Sequence, residues 1–539
     1  MTTRYDQAVT TRYHIYNSLF LNLPFREIYR TGTLLPLLQQ DCVDGYEEGK
    51  NPTQIITDFF DDYAPDASRE ARFEMLFHFI QYVERQVVLF DSLEDASFDQ
   101  INDLTGKGTL SALLLQASSG KAMANLKEKL EKFSVRIVLT AHPTQFYPGP
   151  VLAIITDLED AIRENNVDHI NLLLQQLGKT AFFKREKPTP YDEAISLCWY
   201  LEFVFYQAIP AITKQLAEGL NTPLIDWKNN QLVRIGFWPG GDRDGNPFVT
   251  HDITIKVAQR LRETILRCYH RDLRFLKRRL TFKGVDVLIA EAEQRTYQTM
   301  MGGKNPYLQA SELEQQLLRA REILQNEHDG LFLDLLDNFI VKLRAFGFYF
   351  TSLDVRQESK KHHQLWQYIV GMLNGKNLGI SESEFNALDE NGQIQHLLKI
   401  LINPVFLDVE DLLMEEMIRS FKAIQSIQQL NGELGCHRYV ISNCGTALSV
   451  IEVFKLSQLL VGKNGHLPLD IVPLFESIED LGKAHEVMRS LYSIPAYRDH
   501  LASRDNKQTI MLGFSDGTKD GGYLRANWSI FRAKEELTR

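Results

Sequence analysis

The sequence predicts an α/β protein, predominantly helical, built on a parallel sheet whose strands carry their chemistry at one end. Three observations predict it. Six short runs of β-branched and aromatic residues are spread over residues 135–514, as expected of strands buried on both faces. Most are separated by long stretches with apolar residues at helical spacing. Each run gives way to polar or charged residues, the arrangement of a (β/α) barrel or of an open doubly wound sheet.

Taken in order, residues 1–132 read as an N-terminal helical region; in Glu70–Val83, for instance, apolar residues recur at intervals of three and four. The strand runs follow: Val135–Thr140, Leu232–Phe237, Phe348–Leu353, Tyr439–Ser442, Asp470–Phe475 and Thr509–Phe514. Helical stretches at 151–180, 191–219, 308–346 and 408–430 should form an outer layer and large insertions, and a last helix is expected over Tyr523–Leu537. A closed barrel needs eight strands; six are found.

Composition narrows the function classes. Apolar residues make up 44% of the chain and charged residues 24%, which excludes global disorder. Against 59 basic side chains stand 70 acidic ones, a net charge of −11. No Lys/Arg block could neutralise a run of phosphates, so no nucleic-acid partner is expected. No stretch approaches the ~20 apolar residues that span a bilayer, so no membrane association is expected. The first residues, with Arg4, Asp6, Arg12 and His14, do not read as a signal peptide. Five scattered cysteines without a C-x-x-C pair suit a reducing compartment. The expectation is a cytoplasmic protein.

Four constellations carry chemistry. In Leu139-Thr-Ala-His142-Pro-Thr-Gln145 a histidine leaves a buried strand on a backbone stiffened by proline, suited to acid/base work or to pairing with an anionic intermediate. In Trp238-Pro-Gly-Gly-Asp-Arg243-Asp-Gly-Asn-Pro247 paired glycines allow a tight turn or close backbone approach, and the two aspartates are expected to lock the guanidinium of Arg243. In Asp354-Val-Arg356-Gln357-Glu358, Arg356 suits bidentate phosphate or carboxylate recognition, with Asp354 and Glu358 as its orienting partners. Glu476 and Asp516 end successive strands; two carboxylates without a Cys or His neighbour favour Mg²⁺ or Mn²⁺, and Lys519 can face the same anion. Gly513-Phe-Ser-Asp-Gly517 also matches the G-x-S-x-G elbow of α/β-hydrolases. That fold needs its histidine after the serine, whereas the last histidine here, His500, precedes Ser515.

In order, these segments resemble phosphoenolpyruvate carboxylase. Lys187-Pro-Thr-Pro-Tyr-Asp-Glu-Ala194, Tyr439–Ser442, Val472-Pro-Leu-Phe-Glu476 and Gly513–Gly522 complete the set. The resemblance implies a distorted (β/α)₈ barrel with many extra helices, so that 133–539 is an incomplete barrel with large helical insertions, and a homo-oligomer, a tetramer in the family. It implies addition of bicarbonate to phosphoenolpyruvate with Mg²⁺ or Mn²⁺, giving oxaloacetate for the tricarboxylic acid cycle and phosphate, by way of carboxyphosphate and an enolate. By the same resemblance Glu476 and Asp516 match the metal ligands and Arg356 the phosphoenolpyruvate-binding arginine, with Asp354 and Gln357 beside it. His142 matches the histidine assisting carboxylation, and Trp238 the bicarbonate-side tryptophan. Lys519 and Arg243 take electrostatic roles.

The chain also departs from the family pattern. Phe146-Tyr-Pro-Gly-Pro150 stands where a pair of arginines is common, and Pro239 where a larger apolar residue is usual. The family's Gly/Arg-rich mobile loop, two further strands and the effector-binding helices find no counterpart here. The expectation is therefore an N-terminal portion of such an enzyme, weakly active or inactive alone. The alternative is a non-catalytic helical assembly module that retains the motifs.

Overall fold

A computed structural model describes residues 4–21, 26–118, 120–140, 147, 149–182, 188–373, 380–400, 411–463 and 465–539. His142, within 141–146, lies outside them. The chain divides into two compact units, one of residues 1–115 and 142–187, the other of 116–141 and 188–539.

The first unit is helical. Its long helix Arg69–Ala96 begins at Ser68, whose hydroxyl accepts the Ala71 N–H, a cap that satisfies one of the orphan donors of the first turn. Val88, Leu89 and Leu93 on this helix pack with Val151, Ile154 and Leu158 of Gly149–Arg163 and with Ile170 and Leu174 of Val167–Lys179. The segment 151–180, expected in the outer layer of the barrel, belongs here instead. Its apolar stripe specifies that a face must be covered, but not by what.

Among the described residues the second unit contains six strands: β1 (Val135–Leu139), β2 (Val233–Phe237), β3 (Ser352–Glu358), β4 (Arg438–Ser442), β5 (Asp470–Phe475) and β6 (Met511–Leu512). All five pairings are parallel and the spatial order is the chain order, β1 to β6. A doubly wound sheet reverses its strand order at a switch point. The absence of any reversal, together with the curl of the sheet, makes this a half-barrel. Helices dominate the unit, and four of them, from His251–Arg279 to Leu333–Phe346, separate β2 from β3.

Two strands differ from expectation. The apolar run beginning at Phe348 is not the third strand, which starts at Ser352. Phe346, Phe348 and Phe350 are buried among helices, with Phe346 and Phe350 against Tyr206 and Phe348 against Tyr269. Gly347 and Phe350 take positive φ of 50° and 63° there, which a strand excludes. Consequently Asp354 and Arg356 lie within β3 rather than beyond it. The sixth strand spans two residues only.

The helical stretch Pro190–Gly219 is, by length and composition alone, apolar enough to cross a membrane, which the sequence reading did not anticipate. It contains Asp192, Glu202, Lys214 and Glu218, and its segment Pro190–Tyr200 packs against His251–Arg279, as a core helix does.

Candidate functional site

The side chains that converge at the strand ends do so because the backbone leaves them little choice. After β2 the chain turns at Gly240, with φ of 78°, a value that glycine adopts without strain. A Cβ on Gly241 would stand 1.9 Å from the Asp354 carbonyl oxygen, so only glycine lets this loop lie against β3. There the Arg356 N–H donates to Gly241 O and the Arg243 N–H donates to Arg356 O, both at 3.0 Å, and the loop continues the sheet by one rung.

Extended backbone alternates its side chains, and this decides the Asp-Arg-Asp motif. Asp242 and Asp244 face Arg356, whose Nη1 donates to Asp242 Oδ2 at 3.2 Å and whose Nη2 donates to Asp244 Oδ2 at 2.8 Å. Arg243 points the other way, donating to Glu416 Oε1 at 3.0 Å and to the Thr254 hydroxyl at 3.3 Å, and is buried. The expectation that the two aspartates lock Arg243 is therefore corrected: they hold Arg356.

Glu476 is equally constrained. It stands between the last residue of β5 and Ser477, which caps the helix Ile478–Ser493 in a capping box with Asp480. Its Oε1 accepts from Arg356 Nη2 at 2.9 Å and its Oε2 from the Asn443 N–H at 2.9 Å. Burial raises its carboxyl above the ordinary range, and the charges of Asp244 and Asp516 add to that, against lowering by the Asn443 N–H and Arg356. Burial likewise raises Asp242, with Arg356 opposing it. Arg356 thus sits in a cradle of three carboxylates. Its Nε is buried and has no acceptor among the described residues.

Trp238 lies beside this cradle, its ring centroid 5.1 Å from the Arg356 guanidinium carbon, within reach of a cation–π contact. Its indole N–H donates to Asp354 Oδ2 at 3.1 Å. Asp354, only 1% exposed, is paired with Arg136, so neither it nor Glu358 orients Arg356 as expected; the carboxylates that do so come from other segments. Gln357 falls on the opposite side of the strand, and its Oε1 accepts the Glu358 N–H at 2.9 Å.

Asp516 occupies the first turn of Ser515–Gly521 and pairs with Lys519 Nζ at 3.1 Å, both exposed. Gly513, whose N–H donates to Phe475 O at 2.8 Å, brings this segment alongside Glu476. No group of three or more His, Cys, Asp or Glu arranged for a metal ion occurs among the described residues. The donor chemistry nevertheless fits a hard divalent cation. Among the described residues the four carboxylates Asp242, Asp244, Glu476 and Asp516 are paired with Arg356 and Lys519, and carboxylate oxygens are the donors that Mg²⁺ and Mn²⁺ prefer.

Sequence reasoning missed Arg136 and Glu416. A charge inside the strand run Val135–Thr140 was a readable signal for the first. Glu416 meets Arg243 across 173 residues of chain, and nothing local marks it.

The profile of the family "Phosphoenolpyruvate carboxylase" matches residues 46–298 and 279–539. Proteins named phosphoenolpyruvate carboxylase are similar along most of the chain. The one from Gloeobacter violaceus is 28% identical over 491 residues, 78% of this chain and 52% of its own. That from Alcanivorax borkumensis is 30% identical over 486 residues, 80% and 52%, and that from Rhodothermus marinus 27% over 532 residues, 86% and 56%. The chain spans about half the length of the curated relatives it matches.

Proposed function

The chain belongs to the phosphoenolpyruvate carboxylase family, and from that premise we propose that its strand-end site serves the carboxylation of phosphoenolpyruvate by bicarbonate to oxaloacetate and phosphate. The observation that carries the reading is Arg356, fixed by Asp242, Asp244 and Glu476 against the Trp238 ring, with its Nε left without an acceptor among the described residues. A guanidinium oriented in advance recognises a phosphate or carboxylate with little entropy left to lose.

In this reading Arg356 binds the phosphate or carboxylate of phosphoenolpyruvate, and Trp238 walls the side from which bicarbonate approaches. Bicarbonate oxygen attacks phosphorus, giving carboxyphosphate and the enolate of pyruvate. Carboxyphosphate breaks into CO₂ and phosphate, and the enolate carbon bonds to CO₂. His142 assists these last steps. Glu476 and Asp516 are the residues that would hold Mg²⁺ or Mn²⁺, whose charge favours the developing enolate. Lys519 adds positive charge at the rim, and Arg243, turned toward Glu416, acts by holding the loop that carries Asp242 and Asp244. The same reading makes the protein a cytoplasmic homo-oligomer, without nucleic-acid or membrane partners, that supplies the tricarboxylic acid cycle. Turnover by the 539-residue chain alone is expected to be weak or nil, since β6 is two residues long and pairs with β5 only among the described residues.

Binding tests the reading directly. Phosphoenolpyruvate with Mn²⁺ should quench the fluorescence of Trp238 and raise the melting temperature of the chain, and Arg356→Met should abolish both. If neither signal appears in the parent chain, the reading fails and a non-catalytic assembly module replaces it.

A further inference from the structure

Arg136 is the second residue of β1, and its guanidinium does not stay over that strand. A Cβ on Gly236 of β2 would stand 2.6 Å from Arg136 Cζ and Nη2 and 2.8 Å from Nη1. The missing side chain at position 236 is the passage by which the guanidinium crosses β2 to reach β3. On the far side Nη1 donates to Asp354 Oδ2 at 2.8 Å and Nη2 to Oδ1 at 2.6 Å, a bidentate pair of the strong kind. Oδ2 of the same carboxylate accepts the Trp238 indole N–H, and the Trp238 ring lies against Arg356. A line of four side chains from two strands, β1 and β3, and the loop after β2 thus ends on the Arg356 guanidinium.

Each link limits the next. The fork of Arg136 permits one rotation of the Asp354 carboxylate, that rotation places one oxygen for the indole N–H, and the bound indole presents its face to Arg356. Without Arg136, the buried Asp354 side chain loses its two strongest donors. Its neighbour in register on β4 is Arg438, another cation toward which it can turn. We propose that Arg136 is a positioning residue of the site: reaching across Gly236, it sets Asp354 and through it the Trp238 face against which Arg356 meets the substrate. The proposal rests on the reading of Arg356 as the substrate-binding arginine.

The test uses the full chain labelled with ¹⁵N-tryptophan, the indole signal of Trp238 being assigned by its loss in Trp238→Phe. Arg136→Met removes the fork, and Gly236→Ala keeps every charge but closes the passage. Both should speed hydrogen exchange at the Trp238 indole by about tenfold or more and weaken phosphoenolpyruvate binding by about tenfold, the scale of a lost charge-assisted hydrogen bond. Mn²⁺ affinity should stay the same. Arg136→Lys, which retains charge without the fork, should recover stability but not slow exchange. If the variants lose thermal stability alone, with the indole signal and phosphoenolpyruvate affinity unchanged, Arg136 is a structural ion pair and the proposal is wrong. If the parent chain does not bind phosphoenolpyruvate, the functional reading falls, while unaltered indole exchange in Arg136→Met would separately overturn the link to Trp238.

Discussion

Replacing Arg356 with methionine keeps an unbranched stem in β3 and removes the cation shared by Asp242, Asp244 and Glu476. Unit charges ~4 Å apart interact by about 4 kcal/mol at an effective dielectric constant of ~20, but much of this is offset by desolvation. Removing one partner of a fully buried pair costs about 3–5 kcal/mol. The Asp242 and Asp244 side chains are 29% and 24% exposed, against 8% for Glu476, so water screens part of the loss and about 2–3 kcal/mol is expected at pH 8. The pH dependence follows from the same groups. Burial already raises the carboxyls of Asp242 and Glu476, and Arg356 holds them down. In the variant they rise further, the folded state binds more protons than the unfolded chain, and stability falls as pH rises through that window. Urea unfolding should therefore show a larger loss at pH 8 than at pH 5.5, where proton uptake replaces the missing cation. Equal losses at the two pH values, or none at pH 8, would refute the reasoning.

Two further substitutions probe the frame around Arg356. Gly241→Ala forces a Cβ onto the Asp354 carbonyl, a backbone atom that cannot step aside; the loop should lift from β3 at a cost of about 3 kcal/mol, read as a lower urea midpoint with loss of the phosphoenolpyruvate response. Glu416→Gln tests the anchor of Arg243. Burial raises the Glu416 carboxyl, but the His251 N–H, its ring and Arg243 together outweigh it and hold the group below the ordinary range. Its stabilisation is present above the ~4.3 of an unfolded glutamate and is lost as pH falls through the lower folded value. The variant should be about 1–2 kcal/mol less stable at pH 7, with the difference from the parent closing in unfolding curves recorded toward pH 3.

The parallel sheet and four of its six strands were legible within a residue, because short β-branched runs between helical periods leave few alternatives. The third strand was misplaced because Phe346, Phe348 and Phe350 have the composition of a strand but are buried among helices, and tertiary packing overrides local preference. Arg356, Glu476 and Asp242 were legible by their charge beyond the expected strand runs, and Trp238 by the family resemblance. Their pairing was not: the partners of Arg356 lie 112–120 residues away along the chain, and only the register of the loop against β3 decides that Asp242 and Asp244 face it while Arg243 turns to Glu416. Local sequence suggested the nearest opposite charge, and the sheet supplied a different one.

The most direct measurement is a Mn²⁺ titration of the 539-residue chain followed by electron paramagnetic resonance, compared with Glu476→Gln and Asp516→Asn. The account expects one bound ion per chain, weakened at least about tenfold by either substitution and, because burial raises the Glu476 carboxyl, weakened also as pH falls and protons compete for that oxygen. Mn²⁺ binding that is indifferent to both substitutions, or no binding by the parent chain, would contradict it.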